Sequence, residues 1–234
     1  MKRLFIPAFV LLAAVAMRKD AEPIEKGAQY LWSHQAADGG WHSETYGLLK
    51  SGQSLTPFVL NALLQMPNPP AGQVDRALRF LQTHTDAQGA VGRMDALLSD
   101  YPNYATALSV QAICRARRPG WQRTIEPMLQ YLRSQQFTEA HGWKREDAAY
   151  GAWGMGGVDL TPPNAGHVDI SMTRHVLEAF AAADAKADDP ALQRAAVFLD
   201  RCQNADGGFY FSTVVPDANK AGETAKGYRS YGTA

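Results

Sequence analysis

Four segments of the chain place apolar residues at i, i+3, i+4 and i+7: Ile24, Gly27, Ala28, Leu31; Val74, Ala77, Leu78, Leu81; Ile125, Met128, Leu129, Leu132; and Leu192, Ala195, Ala196, Leu199. That spacing puts each set on one stripe of a helix and predicts four amphipathic helices. The last apolar member follows an aromatic in every copy: Tyr30, Phe80, Tyr131 and Phe198. The register recurs after 50, 51 and 67 residues, which marks an internal repeat. A second set of helices reads Thr-x-x-x-(Leu/Val)-x-Ala-apolar, at Thr56–Leu63, Thr106–Ile113 and Thr173–Phe180. These carry more Ala and Leu and less charge, so they are predicted to be the more buried partners. The unit is an outer helix, a turn, a loop and an inner helix.

Each outer helix runs into a polar turn closed by glycine, and glycine permits the positive φ that stops a helix and reverses the chain. An aromatic follows in three copies: Gln35 to Gly39-Gly40-Trp41, Gln136 to Gly142-Trp143, and Gln203 to Gly207-Gly208-Phe209. The second copy, Asp86 to Gly89-Ala90-Val91, lacks it. From that position to the inner-helix threonine is 15 residues in the first two copies and, counted from Trp143, 30 in the third. The extra residues include Tyr150-Gly151-Ala152-Trp153-Gly154-Met155-Gly156-Gly157, a Gly-aromatic loop. Such a loop either contacts an apolar or sugar-like ligand or covers one end of the core.

At these residues the chain resembles the squalene-cyclase and protein-prenyltransferase repeat superfamily. Its repeat reads (Lys/Arg)-(Gly/Ala)-x-x-aromatic-aliphatic, then Gln, then Gly-x-Trp. Lys26-Gly27-Ala28-Gln29-Tyr30-Leu31 with Gln35 and Trp41 fits throughout, and Arg194 to Leu199 with Gln203 and Phe209 fits with Phe for Trp. The resemblance implies an all-α fold, an α/α toroid of inner and outer helices built from repeats of about fifty residues. It gives the repeat glutamines and tryptophans a structural role.

The family's cyclases carry Asp-x-Asp-Asp at the start of an inner helix, where the middle carboxyl protonates an alkene or epoxide. The matching stretch here is His167-Val168-Asp169-Ile170-Ser171, which keeps only Asp169. Asp169 is thus the one candidate general acid, and its structural alternative, shared with Ser171, is to cap the following helix. The candidate ligand-binding residues are Tyr101, Tyr104, Trp153, His167 and His175. Cys114 and Cys202 lie outside any zinc-type context, and no His-x-x-x-His or Glu-x-x-His pair, phosphate loop or Gly-x-Ser-x-Gly elbow is found, so no metal and no cofactor is assigned.

Lys2 and Arg3, the apolar run Leu4–Ala16 and the small-x-small close Ala14-Val15-Ala16 have the layout of a secretory signal. Residues 1–16 are read as that signal and 17–234 as the toroid domain, exported to the periplasm or the medium with no transmembrane helix after cleavage. Lys and Arg total 23 against 23 Asp and Glu, which leaves no electrostatic footprint for nucleic acid. Three functions fit. The first is a non-cyclase repeat protein binding an apolar molecule, a glycan or a polypeptide through its lumen or loop face. The second is a divergent terpenoid-cyclase-like enzyme with Asp169 as acid. The third is a polysaccharide-active enzyme drawing on Glu146, Asp147 and Asp169. Finally, Tyr228 to Ala234 parallels Tyr101 to Ala107, the lead-in to an inner helix. The expectation is an incomplete toroid, continued beyond Ala234 or completed by a partner chain.

Overall fold

A computed structural model of the chain describes residues 23–94, 99–225 and 227–231. The proposed signal and the last three residues lie outside that set. Among the described residues seven α-helices follow one another: α1 (23–33), α2 (Leu55–Leu63), α3 (Ala71–Thr83), α4 (Pro102–Ala116), α5 (Ile125–Ser134), α6 (Ile170–Ala182) and α7 (Pro190–Cys202). Among the described residues the only sheet is a short antiparallel pair, β1 (Glu223–Thr224) with β2 (Gly227–Tyr228). The fold class is all-α.

The two sets of helices occupy different places. α4 packs against both α2 and α6, so the threonine-motif helices form one row. α3 lies against α2 and α4, α5 against α4, and α7 against α6. Eleven of the fifteen residues of α4 are buried, which makes it the central helix of the row. The amphipathic helices bury a single stripe, Val74, Ala77, Leu78, Phe80 and Leu81 in α3 and Ile125, Met128, Leu129, Tyr131 and Leu132 in α5. These residues join Leu60, Val110, Trp153 and Phe180 in the main core.

The turn after each outer helix is built the same way four times. Gly39, Gly89, Gly151 and Gly207 have φ of +95°, +88°, +85° and +82°. Each turn is closed by a backbone bond across it, Ala36 N to Gly40 O, Asp86 N to Ala90 O, Phe137 N to Ala152 O and Asn204 N to Gly208 O, at 2.8 to 3.1 Å. The next residue's backbone N–H reaches the inner-helix threonine: Trp41 to Thr56 Oγ1 at 2.9 Å, Val91 to Thr106 Oγ1 at 2.9 Å and Trp153 to Thr173 Oγ1 at 3.3 Å.

That last bond corrects the sequence reading of the third copy. Its Gly-x-Trp is Gly151-Ala152-Trp153 rather than Gly142-Trp143. The Trp153 indole N–H donates to Leu132 O at 2.7 Å, as the Trp41 indole does to Leu31 O at 2.7 Å. The long insertion therefore falls mostly before the turn, between Gln136 and Gly151. Trp143 belongs to that insertion. Its indole bonds Leu160 O, and it builds a second small core with Phe137, Tyr150, Val168, Phe198 and Cys202.

At the C-terminal end the segment expected to lead into a further inner helix is described only as far as Tyr231. Tyr228, parallel in sequence to Tyr101, sits in β2. Before it, the chain runs back over the start of α6, where Ile170 N donates to Phe211 O at 3.0 Å and the Ser212 hydroxyl to Val168 O.

Candidate functional site

The threonine ties fix which way the inner helices face. At about 100° per residue, the positions two before, two after and five after each threonine lie on the opposite side of the helix from it. On α2 these include Phe58 and Asn61, on α4 Tyr104, Leu108 and Gln111, and on α6 Ser171, His175 and Glu178. Phe58 and Ser171 are exposed, and Tyr104, His175 and Glu178 are partly so. Tyr101, the residue before α4, is exposed, with a left-handed φ of 45° that turns the chain into Pro102. The row thus presents a stripe with two rings, Phe58 and Tyr104, beside polar groups, and Tyr101 stands exposed at the entry to α4.

Amides stitch this stripe together. Asn61 Nδ2 donates to Leu108 O at 2.8 Å, and Gln111 Nε2 donates to His175 O at 2.9 Å. Donor and acceptor hold the same repeat positions in both bonds, so each inner helix hands one bond to the next. At that donor position α6 carries Glu178, a carboxylate, which cannot donate to a carbonyl when ionised. Glu178 instead faces Arg174 Nη1 at 3.3 Å and His175 Nδ1 at 3.4 Å. The His175 ring stands edge-on to Tyr104 with centroids 5.0 Å apart, and Arg174 Nη2 lies 3.3 Å from His175 Nε2. Burial, and then the Arg174 charge, hold the His175 pKa below the ordinary histidine value, against the pull of Glu178 and Asp169. Burial also raises the Tyr104 phenol. A neutral imidazole oriented by a carboxylate can accept a proton, and the phenol beside it can donate a hydrogen bond.

Asp169 is fully buried at the N-cap of α6, where its Oδ1 accepts from Met172 N at 2.7 Å. Its Oδ2 faces His167 Nε2 at 3.1 Å. Burial pushes its pKa up, while the Met172 N–H and His167 work in the other direction. Trp153, read from sequence as a ligand contact, is fully buried in the core and presents no surface. The loop after it is a tie, since Asn103 Nδ2 donates to Gly154 O at 2.9 Å and Asn103 N to Met155 O at 3.1 Å. Of the six candidates, Tyr104 and His175 are in contact, His167 and Asp169 form a pair, Tyr101 flanks the stripe and Trp153 stands apart.

Sequence reasoning missed Phe58, Arg174 and Glu178, although aligning the three threonine motifs displays them at matched positions. It also missed Asp100, a fully buried carboxylate that accepts from the Ser51 hydroxyl at 2.8 Å and from Ser54 N and Oγ at 3.1 and 2.7 Å. Asp100 thereby caps α2 from outside its own helix. At the opposite ends of α4 and α6, a cavity of about 970 Å³ is lined by Gln111, Cys114, Arg117, Glu126 and Asp184, among others. None of the six candidates lines it. Among the described residues no group of three His, Cys, Asp or Glu side chains has metal-binding geometry, and no helix is long and apolar enough to cross a membrane. No protein-family model and no curated protein matches the chain.

Proposed function

We propose that this chain is an exported member of the squalene-cyclase and prenyltransferase repeat superfamily that keeps the α/α toroid without the cyclase chemistry. In this reading α2, α4 and α6 line the toroid, and their stripe binds a glycan chain. One observation carries it: two rings, Phe58 and Tyr104, hold stripe positions turned away from the threonine ties, with the exposed Tyr101 at the entry to α4, and the Tyr104 ring lies against His175. Rings supply apolar area for sugar faces, and amide and charged groups supply partners for hydroxyls. The Gly-aromatic loop that seemed the other candidate surface is occupied in holding α4 to the turn before α6.

The test is affinity electrophoresis or calorimetry against a panel of soluble polysaccharides. Retardation by at least one glycan, lost in Phe58→Ala with Tyr104→Ala while the fold is intact by circular dichroism, is the expected result. Retention of an amphipathic peptide or of squalene in place of any glycan would reassign the ligand class. Binding that survives both substitutions would remove the stripe from the site.

A second reading has its own support in Asp169, whose raised pKa suits a proton donor. Against it stands the capping bond to Met172 N, which favours the ionised form. Cyclised product from squalene or another polyprenyl substrate, absent in Asp169→Asn, would establish that reading over the first.

A further inference from the structure

The joint between successive outer helices occurs three times inside this chain and once half-made. In the first, Gln35 Nε2 donates to Gly39 O at 2.9 Å and to Gln73 O of α3 at 2.8 Å. In the third, Gln136 Nε2 donates to Gly151 O and to Ala191 O of α7, both at 2.8 Å. The turn glycines sit directly on the incoming helix. A Cβ at Gly39, Gly89 or Gly151 would strike the carbonyl oxygen of Arg76, Pro127 or Arg194, respectively. The aromatic that precedes the last apolar position of the incoming helix's register is buried in every one of these joints, with Phe80 2%, Tyr131 4% and Phe198 0% exposed.

The fourth turn has the same donor and the same glycine with, among the described residues, no helix against them. Gln203 Nε2 bonds only Gly207 O, at 3.1 Å, and a Cβ on Gly207 meets nothing within 4 Å. At the other end of the chain α1 has the reverse condition. It carries the outer-helix register, yet Ile24 is 64% and Tyr30 61% exposed, where the matching Val74 and Phe80 of α3 are buried. Among the described residues the chain therefore holds both halves of one joint: a slot open at Gln203 and Gly207, on the turn whose Asn204, Asp206 and Phe209 bond Tyr228, Ser230 and Tyr231 of the C-terminal segment, and an outer helix with Ile24 and Tyr30 uncovered.

We propose that a second copy of this chain docks α1 into the Gln203–Gly207 slot, head to tail, repeating the joint that α3, α5 and α7 make internally. Gln203 then gains the backbone carbonyl of the second copy's residue 23, the register equivalent of Gln73 and Ala191. Tyr30 and Ile24 become covered as Phe80 and Val74 are. The contact is heterologous, so it closes into a ring or extends according to the rotation per copy. The inference uses repeat geometry alone and stands apart from the glycan reading.

Sedimentation velocity on the chain over a concentration series provides the test. Wild type is expected to associate with concentration. Gly207→Asn suits the positive φ and has free space in the single chain, but puts a side chain where the incoming helix must lie, so it should weaken association by about tenfold or more. Ile24→Lys with Tyr30→Lys changes only exposed positions and should weaken it equally. A 1:1 mixture of the two variants keeps one intact slot and one intact α1, and should form dimers and nothing larger. Unchanged melting and circular dichroism in each variant alone separate lost docking from lost folding. A wild type that sediments as a monomer throughout overturns the proposal. So does a Gly207→Asn chain that associates normally, or a mixture that fails to pair.

Discussion

Gln136 spans from the end of α5 to the first turn of α7, donating one amide hydrogen to Ala191 O and the other to Gly151 O, both at 2.8 Å. The side chain is buried, and of its two acceptors Ala191 O also serves the α7 ladder from within its first turn, whereas Gly151 O lies in a buried loop. Gln136→Ala is expected to cost about 1–3 kcal/mol, because two bonds are lost and the buried Gly151 carbonyl loses its side-chain donor. Gln203→Ala removes a bond on an exposed side chain and is expected to stay within about 0.5 kcal/mol. Urea denaturation of both variants checks the contrast. Equal losses would show that the joint to the next outer helix contributes nothing.

The glycines of the same turns yield a second comparison. Gly151→Ala and Gly207→Ala impose the same left-handed backbone on a residue with a Cβ, which costs about 1 kcal/mol. Only Gly151 also drives that Cβ into the Arg194 carbonyl. Gly151→Ala should therefore be destabilising by about 3 kcal/mol or more, and Gly207→Ala by about 1 kcal/mol. Thermal unfolding of the pair measures the difference directly.

These joints also show how far the sequence was readable. The 3.6-residue periodicity located every outer helix, because burial of one stripe leaves a strong pattern. The threonine motif located the inner row for the same reason. The third turn was misplaced because Gly142-Trp143 imitates Gly151-Ala152-Trp153 in letters, and the arbiter is a bond to Thr173 that only three dimensions reveal. Trp153 looked like a free ring in a glycine loop, whereas its N–H answers Leu132 O inside the core. Tyr104 and His175 are 71 residues apart in sequence, and nothing local announces that α4 and α6 bring them edge to edge.

Asp169 separates a capping role from a charged one. Asp169→Asn keeps an oxygen for Met172 N, while Asp169→Ala loses the cap and should cost about 1–2 kcal/mol. The folded carboxyl has a pKa above its unfolded value, so its contribution to stability is fully present below the unfolded pKa and is lost as pH rises through the folded one. The stability of Asp169→Asn relative to wild type should therefore improve as pH is raised from about 4 towards neutrality. Denaturant unfolding of both proteins between these limits tests it. A difference independent of pH would mean that the carboxyl has an ordinary pKa in the fold.

His175 works in the opposite direction. Its folded pKa lies below the ordinary value of 6.5, so the unfolded chain binds the proton more readily. Stability is fully present above about pH 6.5 and declines as pH falls towards the folded pKa, below which both states are protonated and the slope vanishes. The groups facing the ring are Tyr104 from α4 and Arg174 and Glu178 from α6, with Asp169 contributing more weakly. His175→Leu, which places here the residue found at Leu108, should remove the loss of stability that sets in as pH falls below about 6.5. Glu178→Gln removes the carboxylate that favours the imidazolium, so the His175 titration should move further down. It also restores at this position the kind of amide that Asn61 and Gln111 use. Proton NMR titration of the imidazole in wild type and Glu178→Gln, alongside unfolding at each pH, provides both readouts. A His175 midpoint that stays put when Glu178 is neutralised would show that the two side chains do not interact in solution.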